Sequence, residues 1–167
     1  MTDVDESGSE RRARITTDLM ARTGIDEPMI ERIVRLFYQR IQAEPVLGPI
    51  FATRVTDWEH HIAKLCAFWS SVALMTGRYH GQPMRMHMEL PVSGAHFDRW
   101  LQLFEATVVE ICPPAAAAHF MERARRIADS LELGIATAQG RIEAPRHSRP
   151  QPAQADSSLL SGVACSG

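Results

Sequence analysis

The sequence predicts an all-α fold, a compact helical sandwich of about five main elements. Two observations carry this. Apolar residues recur three and four positions apart through most of the middle of the chain, the spacing that gathers side chains on one face of a helix. No stretch sustains the period-two alternation of a half-buried strand. Pro45, Gly77, Pro113, Pro114 and Gly140, with the capping residues Asp26, Thr56 and Ser93, fall between the periodic stretches, which places the helix ends.

The elements follow in order. Thr16 to Arg22 suggests a short helical turn. Ile30, Ile33, Val34, Phe37, Tyr38 and Ile41 form one stripe, with Asp26 as the cap before it and Pro45 as the stop after it. The next long helix is expected to start at Thr56, because Thr56 and Glu59 stand in the T-x-x-E spacing of a capping box. Its face is Trp58, Ile62, Leu65, Phe68, Trp69 and Val72, and Gly77 marks its end. Pro83 suits the first turn of a brief helix that carries His87. Ser93 caps a further helix with Phe97, Trp100, Leu101, Phe104, Val108 and Ile111 inward, which Pro113 and Pro114 break. The last helix runs from about Ala115 to Gln139, with Phe120, Ala124, Ile127, Leu131 and Ile135 inward and Gly140 as its C-terminal cap.

Length and composition fit one core domain at residues 16–141, between a disordered leader (1–15) and a disordered Pro/Ser/Ala-rich tail (142–167). No apolar run is long enough to span a bilayer, and the polar start lacks the apolar segment of a secretory signal. The net charge of −2 does not support a basic nucleic-acid face. Cys66, Cys112 and Cys165 make no C-x-x-C pair, so neither a zinc ribbon nor a disulfide framework is expected. These features point to a cytoplasmic monomer with reduced thiols and no membrane or nucleic-acid partner.

The densest clue is Gly81 to Pro91, GQPMRMHMELP. It holds His87 in a short apolar segment fenced by Pro83 and Pro91, and the apolar block FDRWLQLF follows at Phe97 to Phe104. A histidine on a short, proline-bounded turn beside a large apolar surface suits an axial ligand to a flat iron cofactor, since neutral imidazole binds haem iron well. Tyr38, His61 and Trp100 lie on the inward faces of their helices, with an apolar wall from Phe37, Leu65, Phe68, Trp69 and Phe104. A buried polar group must find a partner. A diatomic ligand with partial negative charge could serve all three donors. Taken singly, Tyr38 and Trp100 could equally bond to backbone carbonyls, and His87 could cap a turn.

In order and spacing, these segments resemble group III truncated haemoglobins: FYQRIQAEPVLGPIF (Phe37 to Phe51), Trp58-x-x-His61-x-x-Lys64 followed by Phe68 and Trp69, GQPMRMHMELP and FDRWLQLF. The resemblance covers roughly residues 26 to 138. It implies a shortened globin, two helices packed over two with haem b between them. His87 would be the proximal iron ligand, and Tyr38, His61 and Trp100 the distal donors. Lys64, one turn beyond His61, is the natural basic group for the haem carboxylates, and Arg85 a second; Arg78, Tyr79 and His80 stand on the approach to the proximal segment. The proline-rich tail after Gly140 has no counterpart in the family's motifs.

The function implied is reversible binding of dioxygen and nitric oxide, with redox chemistry such as nitric oxide dioxygenation or peroxide reduction left open. No flavin or nicotinamide motif is present, so turnover would draw electrons from a separate reductase. No Asp or Glu stands at a helical offset to hydrogen-bond His87, so a strong electron push on the iron is not expected. The alternative on the residues alone is a haem-free all-α interaction or regulatory module.

Overall fold

The computed structural model describes residues 7–141, and every regular element among them is helical. The order is α1 (Gly8–Thr23), α2 (Glu27–Ala43), α3 (Leu47–Ala52), α4 (Trp58–Leu74), α5 (Pro83–His87), α6 (Gly94–Ile111) and α7 (Pro114–Ala138). The four long helices α2, α4, α6 and α7 form the two-over-two sandwich. α2 packs on both α4 and α6, and α6 on α7. No helix of the described residues is long and apolar enough to cross a membrane.

Local chemistry explains most ends. Asp26 caps α2 by accepting from the Met29 N–H at 2.8 Å. Ser93 caps α6, with His96 accepting from the Ser93 N–H at 3.0 Å where a capping box would usually place Glu or Gln. Gly140, at φ 65°, closes α7.

Three expectations need correction. The first is the start of α4. Its cap is Asp57, whose Oδ1 accepts from the His60 N–H at 3.0 Å. Thr56 therefore lies one residue outside the cap, and both Glu59 carboxylate oxygens take the Arg35 guanidinium of α2, at 3.1 and 3.2 Å. The second is the end of α4. It stops at Leu74, and Met75 takes the left-handed cap at φ 58°, two residues before Gly77. The third is the N-terminus. Residues 8–15 are helical and continuous with the expected turn at Thr16, because Ser7 and Glu10 form a reciprocal capping box. That S-x-x-E spacing is present in the sequence. Residues 1–6 and the expected tail at 142–167 lie outside the described residues. The short α3 is a further element that the periodicity did not reveal.

The core is aromatic at its centre. Trp69 stacks on Phe104, with centroids 4.8 Å apart and planes 12° from parallel, and Phe104 stacks on Trp100 at 5.4 Å and 6°. Phe37 meets Trp100 and Phe104 edge-on at 5.4 and 5.2 Å. A smaller cluster forms where α7 meets the start of α6: Phe97, Ala128, Leu131 and Ile135, with Met84 of α5 packed against it. Phe37, Trp69 and Phe104 are almost fully buried, so each would cost about 3–5 kcal/mol on truncation to Ala.

Candidate functional site

His87 ends α5, the short helix whose Met84 packs against the small cluster. Its Nδ1 stands 2.6 Å from the Pro83 carbonyl oxygen, one turn back. A carbonyl only accepts, so Nδ1 carries the hydrogen and Nε2 keeps a free lone pair. That tautomer is the one a metal ligand needs. The acceptor is a backbone carbonyl, not a carboxylate, in line with the absence of an acidic residue at helical offset. Pro83 therefore does two things: its ring opens the helix, and its carbonyl orients the histidine.

His61 comes from α4, one turn after the helix start. Its Nε2 is buried and has no hydrogen-bond partner. Burial first, then the charges of Lys64, His87 and His60, hold its pKa below the ordinary histidine range, which keeps the ring neutral near pH 7.

Tyr38 packs beside His61, ring edge to ring face, with centroids 5.5 Å apart. It is 4% exposed. Burial raises its pKa well above the usual tyrosine range, and the Trp100 indole N–H, bonded to the phenol oxygen, acts against that rise. Because Trp100 donates to the Tyr38 oxygen, the Tyr38 hydrogen is left to donate onward. Trp58 and Phe51 complete this pocket. Trp58 meets His61 at 5.7 Å and Tyr38 at 6.2 Å, and Phe51 meets Tyr38 at 5.7 Å. Neither had been assigned to the site from sequence. Trp58 stood only in the core stripe, and Phe51 belongs to the unforeseen α3.

The expected apolar wall divides in two. Phe37, Trp69 and Phe104 are interior packing that holds Tyr38 and Trp100 in place. Leu65 and Phe68 are half-buried and so remain available as a lining. Lys64 and Arg85 are both exposed, on α4 and α5, and neither has an ion-pair partner among the described residues. Arg78 is engaged differently, 3.0 Å from Glu27 at the start of α2. Tyr79 lays its ring edge on Phe68 at 5.2 Å, while His80 is exposed.

These residues fit an iron porphyrin. A histidine with its Nε2 lone pair free is offered from α5, an unpartnered buried imidazole nitrogen is presented from α4, and half-buried apolar side chains lie on the same elements. Burying an imidazole nitrogen with no partner is costly, and a bound group between α4 and α5 gives it one.

Comparison with known proteins agrees. Residues 21–132 match the family of bacterial-like globins. A group 3 truncated hemoglobin of Campylobacter jejuni is 31% identical over 113 residues, covering 65% of this chain and 89% of that protein. A group 2 truncated hemoglobin of Bacillus subtilis is 27% identical over 79 residues, 46% of this chain and 60% of the other. The crystal structure of the group III truncated hemoglobin from Campylobacter jejuni superposes with a TM-score of 0.63 at 30% identity, over 66% of this chain and 91% of that one. The two-over-two fold, the family match and the relatives together place this chain among the bacterial-like globins, as a truncated haemoglobin of group III, which implies haem as cofactor and a diatomic ligand.

Proposed function

We propose that this protein is a cytoplasmic, monomeric haem b protein that binds dioxygen and nitric oxide and converts nitric oxide to nitrate. The buried, unpartnered Nε2 of His61 is the observation that carries the reading. Haem b supplies reversible diatomic binding and one-electron redox chemistry when bound. His87 would hold the iron through Nε2, its ring fixed by the Pro83 carbonyl. Leu65 and Phe68 contribute apolar burial, at roughly 25 cal/mol per Å² as an upper figure. Lys64 and Arg85, exposed on α4 and α5, are the cations suited to the two haem carboxylates.

Tyr38 and His61 would act as donors to a bound diatomic ligand, with Trp100 holding the Tyr38 phenol through its own N–H. Burial keeps the Tyr38 phenol protonated, so it donates rather than repels. His61 is held neutral and adds one N–H without adding a charge. Each such hydrogen bond is worth on the order of 1 kcal/mol, and about 1.5–3 kcal/mol to a charged acceptor. Two of them would slow the loss of dioxygen enough to disfavour simple delivery and favour consumption with nitric oxide. Each turnover draws an electron from a separate reductase.

Two measurements test this. Full-length protein expressed with ample haem should show a Soret band that His87→Ala loses or shifts. Stopped-flow mixing of the oxygenated protein with nitric oxide should yield nitrate stoichiometrically. Colourless protein overturns the haem reading; oxygenated protein that gives no nitrate overturns the dioxygenase reading alone.

A further inference from the structure

The segment joining α4 to α5, residues 75–82, has no regular structure, yet it is fastened to the core at several consecutive points. It begins in a tight turn with two left-handed residues, Met75 at φ 58° and Gly77 at φ 71°, on either side of Thr76. α1 covers this turn: Thr16 donates its hydroxyl to the Leu74 carbonyl at 2.7 Å, and the Arg12 guanidinium lies over Gly77.

The turn aims Thr76 inward. Its Oγ1 is 2.7 Å from the Oγ of Ser70, a fully buried residue of α4. Ser70 in turn lies 2.6 Å from Oε1 of Glu27, in the first turn of α2. A carboxylate only accepts, so the Ser70 hydrogen is committed to Glu27, and Thr76 must be the donor to Ser70. The other Glu27 oxygen takes Arg78 at 3.0 Å. One carboxylate thus gathers loop residues 76 and 78, the first through Ser70 and the second directly. One residue later the Tyr79 N–H donates to Ser71 Oγ at 2.8 Å, and the Tyr79 ring lies so close to Gly81 that no Cβ fits there. Two residues beyond Gly81 is Pro83, whose carbonyl orients His87.

On the far side of His87 the chain is held by two residues that follow α7, Gln139 and Arg141. Gln139 donates to the Leu90 carbonyl and Arg141 to the Val92 carbonyl, both at 3.3 Å. Within α5 itself, the end of the Met84 side chain packs closely on Gly134 of α7. The short α5 therefore hangs between two sets of pins, and five residues of helix cannot fix their own position.

We propose that Glu27, Ser70 and Thr76 are positioning residues for the proximal ligand, setting where His87 stands by fastening the 75–82 segment to α2 and α4. This rests on the reading of His87 as the axial ligand. Nothing in the network touches His87, so its loss slackens the segment without removing a group from the site. Thr76→Val keeps the shape and removes the donor. Thr76→Ser keeps the donor.

Resonance Raman of the unliganded ferrous holoprotein reads the iron–histidine stretch directly. Thr76→Val should shift and broaden that band, and should speed haem transfer to an apoglobin scavenger roughly five-fold, the factor given by one hydrogen bond of about 1 kcal/mol. Thr76→Ser should match the parent. Arg78→Gln, at an exposed position that leaves the fold intact, should broaden the band in the same direction. The proposal is overturned if Thr76→Ser behaves like Thr76→Val, or if Arg78→Gln and a folded Thr76→Val both leave frequency, width and transfer rate unchanged. A parent protein with no iron–histidine band overturns the His87 reading instead, which separates the two failures.

Discussion

The Tyr38 ring meets the His61 ring edge to face at 5.5 Å, so the phenol of α2 and the imidazole of α4 share one buried pocket. Only one of them has a partner. Tyr38 receives the Trp100 N–H, whereas the Nε2 of His61 is buried without any. The asymmetry suits a pocket in which the tyrosine is fixed in advance and the histidine waits for a ligand.

The unpartnered nitrogen should be visible in the stability of the haem-free protein. Replacing His61 with Leu removes a buried polar atom that lacks a hydrogen bond, and should stabilise the apoprotein by about 1 kcal/mol in urea unfolding. The pH dependence has a definite sign. The folded protein holds the His61 pKa below its unfolded value near 6.5, so the unfolded chain takes up the proton first. Stability is full above that pH and falls as pH drops below it. His119, lowered mainly by burial against its bond to the Ala73 carbonyl, contributes in the same direction. His61→Leu should therefore lose less stability than the parent between pH 7 and pH 5. An identical slope would mean that His61 is already protonated or solvated in the folded state.

Tyr38 gives the opposite case, at high pH. Its folded pKa is raised by burial above the unfolded value near 10, so stability is complete below pH 10 and lost as pH rises beyond it. The chain has two tyrosines, Tyr38 and Tyr79. Ultraviolet titration of the apoprotein should show no ionisation of Tyr38 until the protein unfolds, with Tyr38→Phe deleting that late step. In the holoprotein the same substitution should speed dioxygen release about ten-fold, the equivalent of roughly 1.4 kcal/mol. Trp100→Phe should act in the same direction, since it removes the hydrogen bond that orients the phenol.

How far the site was legible in the sequence depends on distance along the chain. Tyr38, His61 and Trp100 could be placed on inward faces, and His87 on a proline-bounded turn, because helical periodicity and proline positions are local signals. The caps at Asp26 and Ser93 were local too. The start of α4 was misplaced by one residue because two local signals compete, and Asp57, which accepts from the His60 N–H, is a better cap than Thr56. The Ser70–Glu27 bond spans 43 positions and the Arg99–Glu44 bond 55, so neither has a spacing to recognise. α1 is a different kind of miss. Its capping box was local and present, but the charged composition around it reads as an unfolded leader. The separation of Phe37, Trp69 and Phe104 from Leu65 and Phe68 could not be seen either, because periodicity gives a face and not a depth.

Lys64 offers an unusually clean probe, because it is the only lysine in the chain. Reductive methylation with ¹³C-formaldehyde should yield one lysine resonance beside that of the α-amino group. Lys64 is exposed, so labelling leaves the fold intact. If Lys64 holds a haem carboxylate, this resonance should shift when haem is added, and Lys64→Gln should lose haem several-fold faster. A resonance indifferent to haem would assign the carboxylate to Arg85 or to solvent.

Glu44 is the clearest structural weak point outside the site. It is 6% exposed, and its carboxylate organises the turn between α2 and α3. Oε2 accepts from the backbone N–H groups of Val46 and Leu47 at 2.7 and 2.6 Å, and Oε1 takes Arg99 of α6 at 2.6 Å. Burial alone would raise its pKa. The Leu47 N–H, Arg99 and the Val46 N–H more than offset that and leave it lowered. Its contribution is therefore present above the ordinary glutamate range and lost as pH falls through the lowered value. Glu44→Ala strands two N–H groups and one guanidinium, and should cost about 2–3 kcal/mol in urea unfolding at pH 7. Arg99→Ala should cost only about 1 kcal/mol, because Arg99 is half exposed and water replaces its partner. Phe51 of α3 packs on Tyr38, so the damage should reach the site. Glu44→Ala is expected to release dioxygen faster than the parent although it touches no ligand, and an unchanged release rate in a folded variant would show that the pocket does not depend on how α3 is anchored.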